Sequence, residues 1–130
     1  MDSAPARLTE LRNRLLRHHK ILLESERAHY ERDVQRITSR HHLLQLVLAD
    51  PQFAWLRELS GLIVVIDEAL EADPPPAEAD AVRLIAEARA LLAPAEHGAD
   101  FARRYHDALQ RDPDVVLAHG DISGALRSLE

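Results

Sequence analysis

Cysteine is absent from this 130-residue chain. Disulfides, thiolate metal ligands and sulfur redox chemistry are therefore excluded, and the absence accords with a reducing compartment. Long apolar runs are missing too. The longest uninterrupted one, Leu62 to Ile66, is far below the roughly 18 residues that suggest a membrane span. The N-terminus, Met1-Asp2-Ser3-Ala4-Pro5-Ala6-Arg7, has no apolar stretch behind a basic start and so does not read as a secretory signal. A cytoplasmic protein without a membrane partner is expected.

The net charge is -6, unevenly spread. Residues 1–40 hold nine Arg/Lys and six Asp/Glu, whereas residues 41–130 hold seven and sixteen. The two parts attract one another. Phosphate binding needs clustered basic charge that is not neutralised, but the N-terminal bases alternate with Glu10, Glu24, Glu26, Glu31 and Asp33. That pattern argues against nucleic acid and for a solvated helix face with internal ion pairs.

Glycine and proline are missing from Ala6 to Gln35, where Leu8, Leu11, Leu15, His19, Leu22, Glu26 and His29 recur at spacings of three and four. This predicts one long amphipathic helix. A short connection at Arg36–Ser39 turns the chain into a second apolar helix with Leu43, Leu44, Leu46, Val47 and Leu48. Asp50-Pro51 then offers a side-chain cap and a residue suited to a first helical turn. The following helix, about 51–70, carries two neighbouring apolar stripes, Trp55/Leu59/Leu62/Ile66/Ala69 and Leu56/Ile63/Leu70. It is expected to be central and buried on most sides. Ser60-Gly61 within it suggests close approach of another backbone.

Asp73-Pro74-Pro75-Pro76 breaks the pattern and predicts a linker (73–76) between an N-terminal helical hairpin (6–72) and C-terminal helices (77–129). Pro76 is expected in the first turn of the next helix, which carries Val82, Ile85, Leu91 and Leu92. Phe101, Tyr105 and Leu109 mark another helix, Asp112-Pro113 starts a further one, and Gly120-Asp121 is read as a separator before Ile122, Leu126 and Leu129. The prediction is a single all-α domain over 1–130, a bundle of four to six helices. If the first hairpin pivots near Thr38, His19 falls opposite Leu56 and Glu26 near Asp50-Pro51.

The one metal-like motif is Glu26-Arg27-Ala28-His29, which puts a carboxylate and an imidazole on one helix face. Di-iron bundles need two such motifs and two more glutamates, and no second E-x-x-H is present. A mononuclear set of His19, Glu26 and His29 is the metal alternative. Against it stands a simpler role for Glu26, as a carboxylate near the helix start at Pro51, favoured by unpaired N–H groups there, with Arg57 as a second possible partner. Adjacent helical residues point apart, so His18-His19 and His41-His42 cannot each form one site. Trp55, the only tryptophan, reads as a core anchor or as the wall of a pocket near Ser60 and Gly61. His106, Asp107, His119 and Asp121 could supply acid/base groups, but no serine in a nucleophile context accompanies them, and a non-enzymatic protein without cofactor is expected.

The run Asp50-Pro51-x-Phe53-Ala54-Trp55-Leu56-Arg57-x-Leu59-Ser60-x-Leu62-Ile63-Val64-x-Ile66-Asp67-Glu68, with Glu26-Arg27-x-x-Tyr30-Glu31 and Leu43-Leu44-Gln45-Leu46-Val47, resembles a group of small, uncharacterised proteobacterial all-helical proteins. The resemblance spans about residues 8–70. It implies a bacterial origin and carries over no catalytic residue. Two functional expectations follow. The first is a protein-interaction or regulatory module that binds another protein or itself, as a homodimer. The alternative is a bundle that binds a small ligand or metal, with His19, Glu26, Trp55 and Arg57 as ligand-binding residues.

Overall fold

The computed structural model describes residues 2–130. Ser3 starts the first helix: its hydroxyl accepts from the Ala6 amide at 3.2 Å, and Pro5 lies in the first turn, where its missing N–H costs nothing. The resulting α1 (Ala4–Asp33) turns Leu8, Leu11, Leu15, His18, Leu22, Ser25, Glu26 and Tyr30 inward. Seven helices follow one another among the described residues, with no strands: α1, α2 (Arg40–Ala49), α3 (Pro51–Ala54), α4 (Arg57–Glu71), α5 (Glu78–Leu91), α6 (Asp100–Arg111) and α7 (Pro113–Leu129). The chain is the all-α bundle its periodicity predicts, with seven helices where four to six are expected. Its hub is α1, which packs on α3, α4, α5, α6 and α7.

Local signals set two helix starts as expected. The Asp50 carboxylate accepts from the Gln52 amide at 2.8 Å, and the Asp112 carboxylate accepts from the Asp114 amide at 2.9 Å, each followed by proline in the first turn. The predicted helix over 51–70, however, is divided. Between α3 and α4 the Leu56 amide reaches back only three residues, to the Phe53 carbonyl at 3.2 Å. The reason lies in where the side chains go. Phe53 enters a small cluster with Tyr30 and Ile37, while Trp55 and Leu56 enter the main core. A tightened turn lets successive residues serve both.

Other expectations are corrected by packing. Val64 and Val65 on α4 are exposed, and only Leu59, Leu62, Ile63 and Ile66 on that helix are buried, so it is covered on one side rather than most. A Cβ placed on Gly61 would meet nothing within 4 Å, so no backbone approaches there. The helix after the prolines starts at Glu78 rather than in the turn of Pro76, and the Asp80 carboxylate accepts from the Ala77 amide at 2.9 Å at that start. Gly120-Asp121 does not interrupt α7, because Val115, Ala118, Ile122 and Leu126 maintain a buried face through it. A lone helical glycine costs only about 1 kcal/mol, which that face outweighs.

The ends of the chain meet. Arg7 donates to the Leu129 carbonyl from both Nε (2.9 Å) and Nη2 (2.6 Å), and its Nη1 lies 2.6 Å from Glu78. Arg12 pairs with Asp67. These two pairs join the basic N-terminal part to the acidic remainder, as the uneven charge suggests. No described helix is long and apolar enough to cross a membrane.

Candidate functional site

Glu26 stands near the end of α1, 4% exposed. A carboxylate so buried must be compensated, and α6 provides the partner: Arg111 Nη2 donates to Glu26 Oε2 at 2.9 Å. Arg57, the partner considered from sequence, is elsewhere, donating to the Leu48 carbonyl at the end of α2. Nor does Glu26 cap α3, whose first amides are served by Asp50.

Beside the Glu26–Arg111 pair lies a cleft of about 310 Å³, walled by His29 of α1, Gln52 of α3, Trp55, and Arg104 and Asp107 of α6. Glu26 and Trp55 thus share one site, close to the Asp50-Pro51 break, as the hairpin register anticipates. Trp55 is 3% exposed and its ring centroid lies 5.1 Å from that of Phe101. It anchors the core and also walls the cleft. Three nitrogen donors here are buried without a hydrogen-bond partner: Trp55 Nε1, Gln52 Nε2 and Arg111 Nε.

His19 is not part of this cleft. It lies two turns earlier on α1, where its Nε2 is 2.8 Å from Ser60 Oγ, a hydroxyl that also donates to the Leu56 carbonyl at 3.2 Å. This contact engages the Ser60 hydroxyl, whereas Gly61 beside it faces open space. His29 Nδ1 lies 3.3 Å from Asp33 on its own helix. Hence His19, Glu26 and His29 do not converge, and among the described residues no group of three or more His, Asp or Glu could hold a metal ion.

Spacing along α1 favours His19 as the inward member of the pair, but that position belongs to His18, 2% exposed. His18 Nε2 lies 2.8 Å from the Tyr105 hydroxyl, and that hydroxyl lies 2.7 Å from His119 Nδ1 on α7. The ring pairs are edge-on, with centroids 5.7 and 5.4 Å apart. A single phenol proton cannot serve both nitrogens, so Tyr105 donates to one imidazole and accepts an N–H from the other. Burial, reinforced by the neighbouring His119 and His19, lowers the His18 pKa to about 4. Burial likewise lowers those of His19 and His119 and raises that of Tyr105. Burial thus disfavours the charged form of both imidazoles that Tyr105 bridges. The adjoining cavity, between His18 and Ala118, is only about 40 Å³, close to the share of one liquid water molecule. The geometry is that of a satisfied polar link joining α1, α6 and α7.

A third feature is α2. Half of its residues are leucine or valine, yet none is buried. Leu43, Leu46 and Val47 rest partly on the Tyr30–Ile37–Phe53 cluster, whereas Leu44 and Leu48 are 53% and 64% exposed. The apolar run was legible in sequence, its exposure was not.

No family model, no curated protein and no solved structure matches this chain.

Proposed function

We propose that this chain is a protein-interaction module whose contact surface is the outer face of α2. One observation carries the reading: a helix apolar on most sides is normally covered, whereas α2 leaves Leu44 and Leu48 exposed one turn apart. Aliphatic side chains at this spacing are how a short helix anchors in a partner's groove. Val34, 59% exposed, precedes the same helix. A second copy of the chain is one candidate partner, through a two-fold contact of α2 with its symmetry mate.

A photo-crosslinking residue placed at 44 or 48, with one at the exposed Glu87 of α5 as control, tests this in cells. Discrete adducts are expected from 44 and 48 alone, with the adduct from 44 lost on Leu48→Glu. A species of twice the chain mass would identify the partner as a second copy. No adduct from either position, or the same adducts from 87, would overturn the reading. The alternative of a small-ligand bundle is favoured by a different observation, the three unpartnered donors of the Glu26–Trp55 cleft.

A further inference from the structure

Donors and acceptors around that cleft are unequally satisfied. The Glu26 carboxylate is held by Arg111 Nη2 at 2.9 Å, whereas Trp55 Nε1, Gln52 Nε2 and Arg111 Nε have no acceptor. A buried donor without a partner costs about 1–3 kcal/mol, and three around one cavity are hard to reconcile with the cavity's being merely structural. Trp55 is the most telling, since its side chain is almost wholly buried and its indole N–H can only donate. Arg104 adds a further guanidinium at the rim, half-exposed and held only by a 3.7 Å contact with Asp100 on its own helix.

We infer that the cleft binds a small organic carboxylate, its oxygens accepting from the Trp55 indole, the Gln52 amide and the Arg111 guanidinium. The charge inventory selects the class. Two arginines, Arg104 and Arg111, face two carboxylates, Glu26 and Asp107. Glu26 is consumed by Arg111, and Asp107 is exposed at the rim. With no positive charge in excess, a singly charged carboxylate is opposed less than a phosphate dianion, and the unpartnered groups, all donors, call for acceptor oxygens. A volume of about 310 Å³ is at the small end of ligand sites, which favours a compact occupant over a drug-sized one. Because the three donor atoms are shut off from solvent, the ligand reaches them only when side chains around the cleft rearrange. An α-amino acid, whose ammonium group could face Asp107, belongs to the same ligand class. The inference does not depend on the role of α2.

A single tryptophan makes the test direct, because the protein has one indole N–H resonance. Full-length ¹⁵N-labelled protein is titrated with sodium acetate, with glycine and with sodium phosphate, against sodium chloride at matched ionic strength. The expected result is a saturable downfield movement of the indole proton with acetate or glycine, and none with chloride. Gln52→Leu and Arg104→Gln, both at partly exposed positions, should each weaken the response at least five-fold while leaving the rest of the spectrum folded. Absence of movement with both carboxylates, or a response unchanged in both variants, would overturn the inference. A stronger response to phosphate than to either carboxylate would overturn the assigned class.

Discussion

Acidification should weaken this fold in a manner traceable to one histidine. His18 is 2% exposed, and its imidazole accepts or donates a single hydrogen bond at the Tyr105 hydroxyl. Its pKa falls from 6.5 to about 4, first because burial penalises the imidazolium and then because His119 and His19 are close. Above pH 6.5 the ring is neutral in folded and unfolded chains alike, and its titration contributes no difference. As the pH falls below 6.5 the unfolded chain takes up a proton that the folded one refuses. Stability is therefore lost progressively down to about pH 4, with no further loss from this group below. At about 1.4 kcal/mol per unit, the full interval is worth about 3 kcal/mol, of which about 1 kcal/mol is lost between pH 7.5 and 5.5.

Urea unfolding at those two pH values measures the loss, and His18→Gln isolates its source. Glutamine retains hydrogen-bonding capacity towards Tyr105 but cannot titrate. The variant is expected to be less stable at pH 7.5, yet to lose about 1 kcal/mol less than the parent on going to pH 5.5. Contributions from the carboxylates cancel in the comparison, and those of His19 and His119, which burial shifts in the same direction, cancel apart from their coupling to His18. Equal losses in parent and variant would refute the reasoning, as would an NMR titration placing the His18 midpoint above pH 6.

Three further outcomes can be checked by the same unfolding measurements. Arg111→Met should cost about 3–5 kcal/mol, because it strands the buried Glu26 carboxylate, and Glu26→Gln should cost less, because Arg111 is 21% exposed and retains some hydration; equal costs would contradict the asymmetry of burial. Gly61→Ala and Gly120→Ala should each stabilise by up to about 1 kcal/mol, since an added Cβ meets no atom within 4 Å at either position, and a lowered melting temperature would show that a neighbour had been missed. Leu15→Ala, at a fully buried position on the hub helix, should cost about 2–5 kcal/mol, and a loss below 1 kcal/mol would deny α1 its central place.

What could be read from the sequence divides along the range of the interaction responsible. The helix starts after Asp50 and Asp112 were legible because a cap and its proline lie within three residues of one another. The inward histidine was not. After Leu15, spacings of three and four are both helical, so His18 and His19 fit the stripe equally well, and the choice is made by Tyr105, 87 residues away. Periodicity carries no information about that distance. The same limit hid Arg111, whose place in the last turn of α6 suits any helix C-terminus and gives no hint of Glu26. Hairpin register did better, because the connection after α1 is short: it brought Glu26 to the Asp50-Pro51 break and His19 to within one turn of Leu56, at Ser60. Register along one hairpin, however, cannot say what a third helix adds. In this bundle α6 adds most of the cleft's charge: Arg104 and Asp107 at its rim, and Arg111 with one donor spent on Glu26 and another still unpartnered.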